Sequence, residues 1–114
     1  MELSQKIKFH ATIAMKIIEE YAALRQTASE EIQIITDTQR GYFQLQALCW
    51  VNMRLVHQII FHFDIKPDGK IWIQANNTEE EIGVKLLEMG VNRQDIVVGF
   101  QPPSYRQYSG FAVA

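Results

Sequence analysis

The stretch His62-Phe63-Asp64-Ile65-Lys66-Pro67-Asp68-Gly69-Lys70-Ile71-Trp72-Ile73-Gln74 decides the fold of this 114-residue chain. Lys66-Pro67-Asp68-Gly69 reads as a tight turn, because proline presets its own φ and glycine accepts positive φ. Its flanks are β-branched and aromatic, so a long strand Arg54–Ile65 reverses into a second, Lys70–Ala75. Working back toward the N-terminus, Asn52 marks another reversal and Tyr42–Val51 a strand. Asp37-Thr38-Gln39-Arg40-Gly41 closes a shorter strand, Glu31–Thr36. Short connections between consecutive strands predict an antiparallel meander. Leu3, Ile7, His10, Ala14, Ile17, Tyr21 and Leu24 recur at spacings of four and three, which predicts a helix from Leu3 to Gln26. Ala11, Ile13 and Ile18 widen that seam into an arc wide enough to pack on a sheet, and Phe9 lies outside it.

Working forward, Thr78 and Glu81 have the spacing of a capping box, with Glu79 and Glu80 where the helix dipole favours anions. Ile82, Leu86 and Met89 form the apolar stripe of this second helix, and Gly90 suits the left-handed residue that ends it. Gly83, beside the stripe, would let the helix approach the sheet closely. A fifth strand, Ile96–Gly99, follows. The end Gly110-Phe111-Ala112-Val113-Ala114 is apolar enough to be packed rather than frayed. The predicted class is α+β: one domain over residues 1–114, an antiparallel meander sheet of about five strands, and two helices packed on one face, in the order α-β-β-β-β-α-β.

Composition narrows the function. Apolar residues make up 47% and charged residues 21%, ordinary for a globular domain. Cys49 is the only cysteine, so no internal disulfide forms, and no signal peptide or membrane-spanning run is evident. A cytoplasmic protein without membrane attachment is expected. Net charge is −2 with mixed signs and no two basic residues adjacent, which argues against autonomous DNA binding through released counterions.

Catalytic and metal chemistry find little support. Strict alternation along a strand would point His57 away from His62 and Asp64, leaving too few ligands for zinc. Cys49 alternates in phase with Phe43, Leu45 and Ala47 and reads as core, not nucleophile. No P-loop, nucleophile elbow or zinc-protease motif occurs. His10, within the apolar seam, reads as a hydrogen-bonded core residue. No cofactor and no enzymatic activity are expected.

Sorting the strands by face is more suggestive. Phe43, Leu45, Ala47, Cys49, Leu55, Ile59, Phe61, Phe63, Ile71 and Ile73 fall on the side assigned to the helices. The opposite side would carry Tyr42, Gln44, Gln46, Trp50, Gln58, His62, Trp72 and Gln74. Aromatics interleaved with uncharged amides are the composition of an interface centre. These eight residues are therefore candidate partner-binding residues, for another protein or for a second copy in a homodimer. Arg106, between Tyr105 and Tyr108, is a candidate anion contact or the partner in an internal salt bridge.

Phe63-Asp64-Ile65-Lys66, Gly69-Lys70-Ile71-Trp72-Ile73-Gln74, Thr78-Glu79, Asp95-Ile96-Val97-Val98-Gly99-Phe100, Pro102-Pro103 and Gly110-Phe111-Ala112-Val113-Ala114 resemble the XisI-like family of fdxN element excision controlling factors, found mainly in cyanobacteria. The resemblance is specific from about His57 onward; Pro67, Asn76-Asn77, Ser104-Tyr105 and Gln107 depart from the family's usual residues. It implies a regulatory part in programmed DNA excision, alongside a site-specific recombinase and a nuclease-like XisH-type partner. It supplies no catalytic residue to carry over. With a mildly acidic chain, action through the XisH-like protein is the expectation. A DNA-binding accessory factor using Arg40, Arg54, Lys70 and Arg106 is the alternative, and an enzyme of unknown type the third.

Overall fold

A computed structural model of the chain describes residues 1–25 and 29–114. Helix α1 (Leu3–Arg25) buries His10, Ile13, Ala14, Ile17 and Ile18, the middle of the predicted arc. The seam's ends, Leu3 and Leu24, are exposed. Gln26, the predicted last residue, lies outside the described residues.

Strands β1 (Glu31–Asp37), β2 (Tyr42–Val51), β3 (Arg54–Ile65), β4 (Ile71–Asn76) and β5 (Ile96–Val98) form one sheet in sequence order. The first four are antiparallel, as the short turns dictate. The fifth is parallel to β4, with Ile71 opposite Ile96, so the sheet is mixed where an antiparallel one was expected throughout. The connection explains this: helix α2 (Ile82–Glu88) carries the chain back to the end where β4 began, which a hairpin cannot do.

The turns follow their sequences. Asp37 accepts from the Arg40 backbone N–H at 3.1 Å and from its guanidinium at 2.8 Å, which holds its carboxyl below the usual range. Gly69, at φ +90°, donates to the Lys66 carbonyl at 2.8 Å. Asn52 and Met53 form a two-residue reversal with φ of 50° and 65°, left-handed at both positions as twisted strands prefer. Here glycine would be the ordinary choice, and Met53 is 97% exposed.

His10 fastens α1 to the β3–β4 turn. Its Nδ1–H donates to the Gly69 carbonyl at 2.5 Å, and one helical turn earlier Lys6 pairs with Asp95 at 3.3 Å. Burial lowers the His10 pKa from 6.5, opposed by that hydrogen bond and by Asp95. The ring is a satisfied core group, as its place in the seam predicts.

The expected capping box does not form. Glu81 is the N-cap of α2 and makes no side-chain cap bond. Thr78 instead donates its hydroxyl to Asn76 Oδ1 at 2.6 Å and accepts from the Glu80 N–H at 3.2 Å, while Asn76 Nδ2 donates to the Glu80 carbonyl. Short polar side chains compete with helical pairing in this way, and the helix starts later. Gly90, at φ +100°, ends it as predicted. Lys85 lies 3.8 Å from Glu20, and a Cβ on Gly90 would touch the Phe9 ring at 3.4 Å, so α2 stands beside α1 on one side of the sheet. Gly83 makes room for Phe111 rather than for the sheet.

The core between helices and sheet is continuous, built on Phe43, Leu45, Ile60, Phe61 and Phe63 with Ile17, Ile18, Ile71 and Leu86. Tyr21 meets Phe61 edge-on, with centroids 5.0 Å apart. The apolar end docks as expected through Phe111 and Ala112, while Val113 stays exposed. Ala112 donates to the Ile96 carbonyl at 2.9 Å and forms a parallel bridge with Val97, so the β5 edge is covered.

Candidate interaction face

Two β-bulges determine what stands on the side away from the helices. Leu45 pairs with Phe61 and Gln46 with Ile59, leaving Ile60 as an extra residue in β3. His62 pairs with Ala75 and Phe63 with Ile73, leaving Gln74 extra in β4. A bulge inserts one residue and shifts the alternation beyond it. Asn77 sustains the first bulge: its backbone N–H donates to the Ile60 carbonyl at 2.9 Å and its side-chain amide to the Ile59 carbonyl at 2.6 Å.

The consequence corrects the predicted faces of β3. Gln58 pairs with Ala47 and belongs to the helix side, not to the candidate face. Ile60 turns into the core and is fully buried, while Leu55 and Ile59 move to the open side. His57, expected on the helix side, shares the open side with His62 and Asp64, and its Nε2–H donates to Gln46 Oε1 at 2.8 Å. Straight alternation missed this, since a bulge is defined by the partner strand's count and leaves no local signature.

The open face carries a continuous chain of hydrogen bonds. The Gln33 amide donates to the Glu31 carboxylate, Gln46 Nε2 donates to Gln33 Oε1, and Gln44 Nε2 donates to Gln46 Oε1 at 3.0 Å. His62 Nδ1 meets Gln44 Oε1 at 3.2 Å, and its Nε2 meets Asp64 Oδ1 at 2.8 Å. Gln74 Nε2 donates to Asp64 Oδ2 at 3.0 Å, and Lys66 Nζ lies 3.8 Å from the same oxygen. Carboxylates anchor both ends, and a carboxylate only accepts, so each amide's orientation is set by the next. His62 faces an acceptor at each nitrogen. The doubly protonated ring completes both bonds; a neutral ring completes one. Gln33 and Asp64 belong to this network although the sequence did not single them out for it. Their signal was the two-residue period of Glu31 and Gln33 set against the glutamines of β2.

The aromatics divide into two groups. Trp50 is 70% exposed near the tip of the β2–β3 hairpin, and Tyr42 is exposed at the other end of β2. Ile35, Leu55 and Ile59 add exposed apolar surface between them. Trp72 is half-buried, with the cations of Lys66 and Arg106 over its ring at 5.4 and 5.0 Å. Arg106 donates through Nε to the Gln101 carbonyl at 3.1 Å and through Nη2 to the Gly99 carbonyl at 3.2 Å. The candidate anion contact thus spends these donors inside the fold, on carbonyls rather than in a salt bridge, and ties the tail to Trp72.

Among the described residues no group of three His, Cys, Asp or Glu side chains converges as metal ligands. No helix among them is long and apolar enough to cross a membrane.

Fold and face together define an α+β domain that offers a self-paired polar and aromatic sheet surface. Residues 4–113 match the model of the family described as XisI protein, and the chain belongs to that family. It is 36% identical to a XisI-like protein from Anabaena variabilis ATCC 29413, covering 99% of this chain and 100% of that one, with a TM-score of 0.86. It is 30% identical to fdxN element excision controlling factor XisI from the same organism, covering 96% and 99%, with a TM-score of 0.85. A comparison with curated proteins finds no match.

Proposed function

We propose that this chain is a non-enzymatic accessory factor in the control of programmed DNA-element excision, and that it acts by binding a nuclease-like XisH-type protein. Membership of the XisI family and the likeness to an fdxN element excision controlling factor support the role. The observation that carries the mode of action is the open face, where Tyr42 and Trp50 stand exposed around amides that already satisfy one another. Exposed Trp and Tyr on a rigid surface with few charges are what protein interfaces select.

The distribution of positive charge speaks against direct DNA contact. Arg40 and Arg54 lie at opposite ends of the β2–β3 hairpin, about 30 Å apart at strand spacing. Arg40 is paired with Asp37, Lys70 with Asp68 and the Ala114 carbonyl, and Arg106 with the tail. The four do not gather into a phosphate-binding stripe.

Co-expression with an XisH-type protein tests the reading. A complex that co-purifies, and that Trp50→Lys and Tyr42→Lys disrupt without altering the circular dichroism of the isolated chain, is the expected result. Absence of a complex, together with steep salt-dependent binding of DNA by the isolated chain, would overturn it.

A further inference from the structure

The sheet has two unequal edges. The β5 edge is covered by Ala112. The β1 edge faces no further strand among the described residues. Proteins protect such an edge with lysine, proline, a bulge or brevity. β1 has none of these: it is seven residues, Glu-Ile-Gln-Ile-Ile-Thr-Asp, paired with β2 without a register shift, and Ile34 and Ile35 are exposed. Beside it on the helix side runs an open groove of about 550 Å³, floored by Ala11, Met15, Thr36 and Phe43, with Lys16 and Glu19 at its rim.

An unprotected edge next to an apolar groove is the arrangement by which sheets accept an extended segment as an extra strand. Main-chain bonds supply the affinity, and alternate side chains enter the groove. Charge decides which segment fits. β1 is acidic at both ends, Glu31 and Asp37, and apolar between. A second copy paired antiparallel along the whole strand, centred on Ile34, would set Glu31 opposite Asp37 twice, and like charges directly opposite are unfavourable. Arg40 partly offsets Asp37, which makes the Glu31 end the more selective.

We infer that the β1 edge takes an extended segment of a different polypeptide, apolar in its middle and lysine- or arginine-bearing at both ends, as a sixth strand. One face of that strand fills the groove between α1 and β1. The inference rests on the reading that this chain works by binding a protein partner, and adds a second contact surface to the open face.

Titration of the isotope-labelled chain with the peptide Lys-Val-Thr-Val-Thr-Val-Lys, whose valines share the groove side with Ile32, Ile34 and Thr36 when its ends lie opposite Glu31 and Asp37, and with its glutamate-ended counterpart, to millimolar concentration, tests it by nuclear magnetic resonance. The lysine-ended peptide is expected to shift the β1 amides and the Met15 methyl and to slow exchange of alternate β1 amides. The glutamate-ended one should bind about tenfold more weakly. Ala11→Leu, which fills the groove, should weaken binding while leaving the β1–β2 amide shifts in place. If Ala11→Leu disturbs the fold, Met15→Gln serves the same comparison. Equal binding of both peptides, shifts confined to other strands, or no binding would each overturn the inference. So would sedimentation as a dimer whose β1 amides are already protected. An XisH-type complex that survives the groove substitutions but not Trp50→Lys would overturn it while leaving the proposed function standing.

Discussion

Gly99→Ala tests whether the open face is held in shape from beneath. A Cβ on Gly99 would lie 3.0 Å from Trp72 Cε3 and 3.1 Å from Gln74 Cδ, and closer still to Gln74 Oε1. The amide is the flexible partner and yields first, which takes Gln74 Nε2 off Asp64. A hydrogen bond to a charged group contributes about 1.5–3 kcal/mol when buried, and less at this half-buried site. Trp72 must also shift by a few tenths of an ångström under Lys66 and Arg106, whose cation–π contacts are worth about 0.5–1 kcal/mol each at exposed sites. Against this, alanine restricts the unfolded chain and returns about 0.4–1 kcal/mol. The balance is a loss of about 1 kcal/mol. Trp50 and Trp72 are the only tryptophans, so in a Trp50→Phe background the emission reports Trp72 alone. Gly99→Ala should lower the urea midpoint, shift emission to the red and move the Gln74 side-chain NH₂ resonance. Unchanged midpoint, emission and amide resonance would refute the claim that Gly99, Gln74 and Trp72 form one packed unit.

Three further outcomes follow from other parts of the fold. Because the unfolded His10 ring gains its proton near pH 6.5 while burial keeps the folded ring neutral, the unfolded state binds more protons below that pH; stability should fall on acidification from pH 6.5 down through the lowered folded pKa, with a shallower slope in His10→Gln. Gly83→Ala puts a Cβ 2.7 Å from the Phe111 ring, so the tail should loosen, seen as faster amide exchange at Ala112, despite a gain of about 1 kcal/mol in helix propensity. Met53→Gly relieves a left-handed methionine that packs against little, and should raise stability by about 1 kcal/mol in chemical denaturation; an unchanged or lowered midpoint would contradict the turn geometry.

The elements whose signals are local were legible in the sequence. Strands Tyr42–Val51 and Arg54–Ile65 run over the predicted residues, and the turn at Gly69 has the predicted geometry. What the sequence concealed depends on neighbours distant along the chain. The extra residues Ile60 and Gln74 are visible only against the opposing strand, so the faces of β3 were inverted on one side of Ile60, and Gln58 and His57 were exchanged. The parallel placement of β5 depends on where α2 returns the chain. The late start of α2 goes with a Thr78 hydroxyl that donates to Asn76 and accepts from the Glu80 N–H, where a capping box would have it accept from Glu81. The Asn76 and Asn77 side chains are both engaged in the β4–α2 connection.

The arrangement of the open face constrains how any partner on it would gain affinity. Gln33, Gln44, Gln46, His62, Asp64 and Gln74 already bond to one another, so a partner that bonds to them displaces existing bonds and gains little net. The favourable free energy of docking then falls to the apolar side chains standing above this level: Trp50, Tyr42, Ile35, Leu55 and Ile59. The network's part is geometric. Its donors run toward Glu31 at one end and toward Asp64 at the other, and this pairing restrains side chains that would otherwise be mobile, so less rotamer entropy is lost on binding. Truncating an aromatic should therefore raise the dissociation rate directly. Truncating Gln44, in the middle of the chain, should act at a distance by releasing His62 and Gln46 together, and its effect should exceed that of the single contact it removes.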